Sequence, residues 1–88
     1  MENPIINIDI NKIMALSDNN FETSKVIIQL IKRKNTINLD VLTKFNITGQ
    51  KIMNLYKNVC NQNYDSMIEF ITKLENNDSE STSLLTTI

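Results

Sequence analysis

Between residues 48 and 61 the chain places hydrogen-bonding and cationic side chains at helical spacing. Gln50, Asn54 and Asn61 carry amides, and Lys51 and Lys57 carry ammonium groups. At ~100° per residue, a helix through this stretch sets Gln50, Asn54, Lys57 and Asn61 on one side, opposite Ile52, Leu55 and Val59. Glutamine and asparagine can make paired hydrogen bonds to adenine in a DNA major groove, while lysines suit phosphate contacts. With Thr48 and Gly49 at the start of the stretch and Asn58 within it, the candidate DNA-contacting set is Thr48, Gly49, Gln50, Lys51, Asn54, Lys57, Asn58 and Asn61. A merely solvated helix face has the same composition, so the stripe needs support from elsewhere.

Charge supplies some. From Lys25 to Lys57 there are seven basic residues and one acid, Asp40, a net charge of +6. Residues 1 to 24 carry −3 and residues 58 to 88 carry −4, so the overall −1 conceals a basic middle between acidic flanks. A phosphate-facing surface requires such a middle. The run Lys32-Arg33-Lys34 is also accounted for by the dipole of a helix ending there.

Other chemistry is sparse. A lone Cys60 and the absence of histidine leave no Cys/His cluster for zinc and no thiol–histidine pair. Asp65, Glu69 and Glu75 are spaced as a solvated helix face rather than as an acid–base pair. The single glycine, Gly49, cannot build a phosphate loop. No catalytic, cofactor-binding or metal site is expected, and the chain is read as a non-enzyme.

The elements that must carry the stripe follow from apolar spacing. With 88 residues, 41% of them hydrophobic, one glycine and one proline, the chain suits a single small all-α domain with one core. Ile10, Ile13, Met14 and Leu16 mark one face of a short first helix, ended by the polar cluster Ser17 to Asn20. A second begins near Asn20, has Glu22 in its first turn and Lys32 to Lys34 in its last, and carries Phe21, Val26, Ile27, Ile28, Leu30 and Ile31 into the core. A third spans about Asn38 to Phe45 and starts near an asparagine cap. A fourth runs from Thr48, as N-cap, to about Cys60, and a fifth from Tyr64 to Leu74. Five helices over residues 1 to 76 therefore precede a polar, acidic tail, residues 77 to 88, which lacks a periodic apolar face and reads as flexible. The fourteen asparagines read as composition bias.

A helix-turn-helix needs a residue tolerant of left-handed backbone and an apolar plug between its helices. Asn46 and Ile47 supply them. Residues Asp40 to Val59 resemble the helix-turn-helix superfamily of DNA-binding domains, with Val41, Leu42, Phe45, Ile47, Ile52 and Leu55 at its buried positions. The chain departs from the pattern at Leu42, where a small residue is usual, and at Asn46, where glycine is common. The resemblance implies a reader of double-stranded DNA and a transcriptional regulator. A reader of this size normally uses two half-sites, which implies a homodimer, and the last helix, with Tyr64, Met67, Phe70, Ile71 and Leu74, is the expected interface. "MENPIINIDI" shows no basic leader, and no run approaches the ~18 apolar residues of a membrane helix, so a cytoplasmic protein without a membrane partner is expected. The competing reading is a small helical adaptor or inhibitor that binds another protein, which suits the acidic flanks.

Overall fold

The computed structural model describes residues 9 to 88; the leader reading above falls on residues 1 to 8 and lies outside them. Six α-helices follow in order: α1 Ile10–Ser17, α2 Phe21–Arg33, α3 Asp40–Lys44, α4 Gln50–Asn54, α5 Tyr64–Glu75 and α6 Ser79–Leu84. A π-helical segment, Leu55–Val59, continues α4, and a 3₁₀ turn, Leu85–Thr87, ends α6. There are no strands among the described residues, and the all-α bundle predicted from sequence is what the chain forms.

Asparagine and aspartate set the helix ends. Asp9, Asn20, Asn63 and Asp78 each accept the backbone N–H three residues ahead, at 3.1, 3.0, 2.9 and 2.9 Å, and so satisfy one of the donors a helix start leaves unpaired. Asn38 does similar work two residues before α3, accepting from Asp40 N–H at 3.1 Å. At the opposite ends, Asp18, Asn19, Asn46, Asn61 and Asn77 take positive φ between 52° and 60°. Asn46 shows why: its N–H donates to Thr43 O at 3.1 Å and the next N–H, of Ile47, to Leu42 O at 2.8 Å, which closes a Schellman cap on α3. A chain with one glycine uses asparagine for the left-handed caps. The asparagine content is thus in large part a set of helix start and stop signals rather than bias alone.

The core is a single cluster. Ile27, Leu30, Leu42, Ile52, Leu55, Met67 and Leu74 are wholly buried, and α2 and α5 are central: α2 packs against α1, α4 and α5, and α5 against α2, α3, α6 and the π segment. The expectation for α2 as a core helix holds for Val26, Ile27, Leu30 and Ile31. It fails for Phe21, which is 72% exposed at the first helical position, where no partner helix reaches it. On α1 the buried face is Ile13, Leu16 and Ser17, so Ile10 and Met14, expected beside Ile13, stand 60% and 43% exposed. Ile10 and Met14 are one turn apart on the side away from α2.

The predicted flexible tail is corrected from residue 79 onward. Asp78 caps a short sixth helix through the Ser81 N–H and hydroxyl, both at 2.9 Å, Ser81 is buried against the bundle, and Leu85 and Ile88 pack on the core. The apolar residues of the tail are too few to show a period in sequence. They dock because α5 ends beside them.

No described helix is long and apolar enough to cross a membrane.

Candidate nucleic-acid interface

The turn between α3 and α4 covers residues 45 to 49. Asn46 is left-handed, and Ile47 is 1% exposed, with Val41, Leu42, Ile52 and Leu55 buried around it and Phe45 half-buried. Leu42 fits where a small residue is usual because α3 rests on α5 while α4 rests on α2. The two helices are therefore fixed mainly by separate supports and by the plug.

The start of α4 differs from the expectation. Thr48 is exposed and makes no side-chain cap; its carbonyl accepts from Lys51 N–H at 3.1 Å, and the N-cap position belongs to Gly49. Gly49 has φ 54° and ψ −125°, a conformation that suits glycine alone. Its N–H donates to Leu16 O at 2.7 Å, and a Cβ there would stand 3.0 Å from the Asp18 Cβ. Gly49 is buried, and the group closest to it is an acidic side chain. It permits close approach of the α1–α2 turn, so a phosphate has no access to this N–H.

Beyond that point Gln50 and Lys51 are exposed and Asn54 is half-buried. Gln50 Nε2 donates to Asn54 Oδ1 at 3.1 Å, which fixes the two amides side by side while leaving further donors and lone pairs on both. From Leu55 the helix widens: Cys60 N–H donates to Leu55 O at 2.9 Å, a five-residue step. Each residue here turns through less than the ~100° of an α-helix, so positions after Asn54 leave the stripe drawn at α-helical spacing. Lys57 and Asn58 remain exposed on the π segment, whereas Asn61 lies past its end with φ 52° and is off the helix altogether. The same widening turns Cys60 inward and leaves Val59, expected in the core, only half-buried.

Ion pairs redistribute the basic middle. Lys12 meets Asp40, the single acid of that region, while Lys25 lies 3.8 Å from Glu22 and Arg33 3.5 Å from Asp65. Lys32, Lys34, Lys44, Lys51 and Lys57 pair with no carboxylate among the described residues. Five lysines, four on α2, α3, α4 and the π segment and Lys34 just past the end of α2, are thus available to an external anion.

A neighbouring group escaped the sequence reading. Tyr56 of the π segment stacks on Tyr64 of α5 with ring centroids 5.0 Å apart, and Arg33 at the end of α2 lies 5.3 Å from the Tyr64 ring. The Tyr64 hydroxyl beside it, and burial after that, hold the Tyr56 phenol above its ordinary range, so at neutral pH it is a hydrogen-bond donor. No local signal joins three residues from three helices, and the dipole had already accounted for Arg33.

The proposed interface through α5 is not available. Met67, Phe70, Ile71 and Leu74 are at most 8% exposed within a single chain, and Tyr64 is half-buried. The bundle's own core absorbs the apolar face expected to be left over for a partner. Cys60 is buried beside a cavity of about 200 Å³ bounded by the π segment, α5 and α6, and burial pushes its thiol up to about 11. It is protonated, and a poor nucleophile, at neutral pH.

No protein-family model, curated protein or solved structure matches the chain significantly. The fold defines the class, a small all-α bundle, and function rests on the chemistry of its surface.

Proposed function

We propose that the chain is a small helix-turn-helix-type DNA-binding protein, acting in transcription regulation, in which α4 and the π segment face the groove. The observation that carries this reading is the pairing of the exposed Gln50 amide with the half-buried Asn54 amide on a helix entered through the Asn46–Ile47 turn. Lys51 and Lys57 flank them without carboxylate partners among the described residues. In this role Gln50 and Asn54 read base edges, Lys51, Lys57 and Asn58 meet the backbone, and Thr48 is a peripheral contact. Gly49 shapes the entry to the helix, and Asn61 ends it.

A second reading, a helical adaptor for another protein, is favoured by one observation, the exposure of Ile10, Met14 and Phe21. In the DNA-binding reading these three residues and Leu84 are the large apolar side chains exposed among the described residues, and they offer surface for pairing two copies over two half-sites.

A titration of the chain against a mixed-sequence duplex pool at two salt concentrations tests the proposal. Salt-sensitive binding is expected, with Asn54→Ala weakening the preferred site by about 1–3 kcal/mol and Lys57→Ala weakening all sequences alike, the salt slope falling by about one unit. Absence of binding to every duplex at low salt would overturn it.

A further inference from the structure

Three elements meet at the C-terminal end of the reading helix. Arg33 closes α2, Tyr56 belongs to the π segment, and Tyr64 and Asp65 open α5. Tyr56 and Tyr64 stack 27° from parallel, Arg33 covers the Tyr64 ring, and Arg33 Nη1 lies 3.5 Å from Asp65 Oδ1. The Arg33 and Asp65 side chains are 48% and 78% exposed. An ion pair so placed is held weakly against water, and an anion that offers more to the guanidinium displaces the carboxylate. A phosphate diester does so, since the guanidinium fork can donate two parallel hydrogen bonds to it. Lys57 follows Tyr56 directly, and Lys32 and Lys34 flank Arg33, none with a carboxylate partner among the described residues. The only acid in contact with Arg33 is Asp65, and the lysines next to Arg33 and Tyr56 in sequence are exposed.

We infer that Arg33, Tyr56 and Tyr64 form a second contact for the DNA backbone, at which a phosphate takes the place of Asp65 on the Arg33 guanidinium. The inference rests on the DNA-binding reading. The stacked rings hold Arg33 extended toward the phosphate, the tyrosine pair has one hydroxyl donor left beyond the bond between its two hydroxyls, and Asp65 is a built-in competitor that lowers affinity for any anion. Removing an acid should then strengthen binding only where Arg33 is present.

The test uses the full chain and a fluorescein-labelled mixed-sequence duplex, with affinity read by anisotropy at two salt concentrations. Tyr56 and Tyr64 are the only tyrosines, so ring labelling gives two signals that report on this cluster alone. Addition of duplex should shift both. Asp65→Asn should tighten binding about two- to fivefold, Arg33→Ala should weaken it about fivefold and lower the salt slope by about one, and Asp65→Asn should have little effect once Arg33 is replaced. If the duplex binds while the tyrosine signals stay in place, or if Asp65→Asn tightens binding equally with and without Arg33, the second contact is wrong and the reading through α4 stands. If the wild-type chain binds no duplex at low salt, both fall. Should Arg33→Ala fail to fold, Asp65→Asn and the wild-type tyrosine signals still decide.

Discussion

α5 and the α4–π unit are of similar length and lie against each other, yet they are built on opposite terms. α5 begins at a side-chain cap from Asn63, has Asp65 in its first turn and Lys73 in its last, and keeps α-helical form from Tyr64 to Glu75. Its buried residues Met67, Phe70, Ile71 and Leu74 recur at steps of three and four, so propensity, capping and burial agree. The α4–π unit begins at Gly49 with no side-chain cap, keeps α-helical form for only five residues, and then widens. Its buried residues are Ile52, Met53 and Leu55, and the buried Cys60 that ends it follows Leu55 by five, the step a π turn provides. The capped helix serves as a support. The uncapped one, pinned by Gly49 to the α1–α2 turn and widened along the π segment, presents the paired Gln50 and Asn54 amides and the exposed Lys51 and Lys57, and π segments recur at functional sites.

The sharpest test of this contrast is truncation in the two cores. Ile52→Ala and Leu74→Ala, both at fully buried positions, should each cost about 2–5 kcal/mol by denaturant unfolding. The α4–π unit is the less regular of the two and has more room to relax, so Ile52→Ala should fall lower in that range. A larger loss at Ile52 than at Leu74 would break the comparison.

A smaller effect is expected where α4 is pinned. Gly49→Ala places a Cβ 3.0 Å from Asp18 Cβ in a backbone region that side chains rarely adopt, and should destabilise the fold by about 1–3 kcal/mol. Combining it with Asp18→Gly should recover part of the loss in thermal unfolding by relieving the contact.

Caps discriminate next. Asn63→Ala removes a side-chain acceptor from the start of α5 and should cost about 1 kcal/mol, whereas Thr48→Ala removes none and should leave the melting temperature within experimental error. Equal losses would show that Thr48 caps α4 after all.

The gentlest perturbation is acid. The Ser81 N–H, then its hydroxyl, donating to Asp78 hold that carboxyl below its ordinary range. A depressed folded-state value adds stability above the unfolded value and loses it as pH falls through the folded one. α6 should therefore loosen below about pH 4, seen as faster amide exchange in residues 79 to 88 while α5 keeps its protection. Unchanged exchange there would mean that Leu85 and Ile88 hold α6 without the cap.

Much of this was legible in the residue order. Apolar steps of three and four locate α1 to α5, Glu22 and Lys32 to Lys34 mark the ends of α2, and residue type alone makes Asn46 a left-handed residue and Ile47 a plug. These are local properties. A helix period, a dipole and a cap each involve residues within one turn of one another, so composition and spacing determine them. What tertiary structure decided involves partners far apart in sequence. Gly49 suits a phosphate contact by residue type, but Asp18, thirty-one residues earlier, lies beside it. The face of α5 looked spare until the other helices covered it, the tail looked free until Asp78 and the end of α5 offered it a place, and Arg33, Tyr56 and Tyr64 carried no shared signal until three helices brought them together. The π turn belongs to this second group as well. A sequence read at ~100° per residue has no means of registering the widening, because the burial of Cys60 that accompanies it exists only once the core has closed.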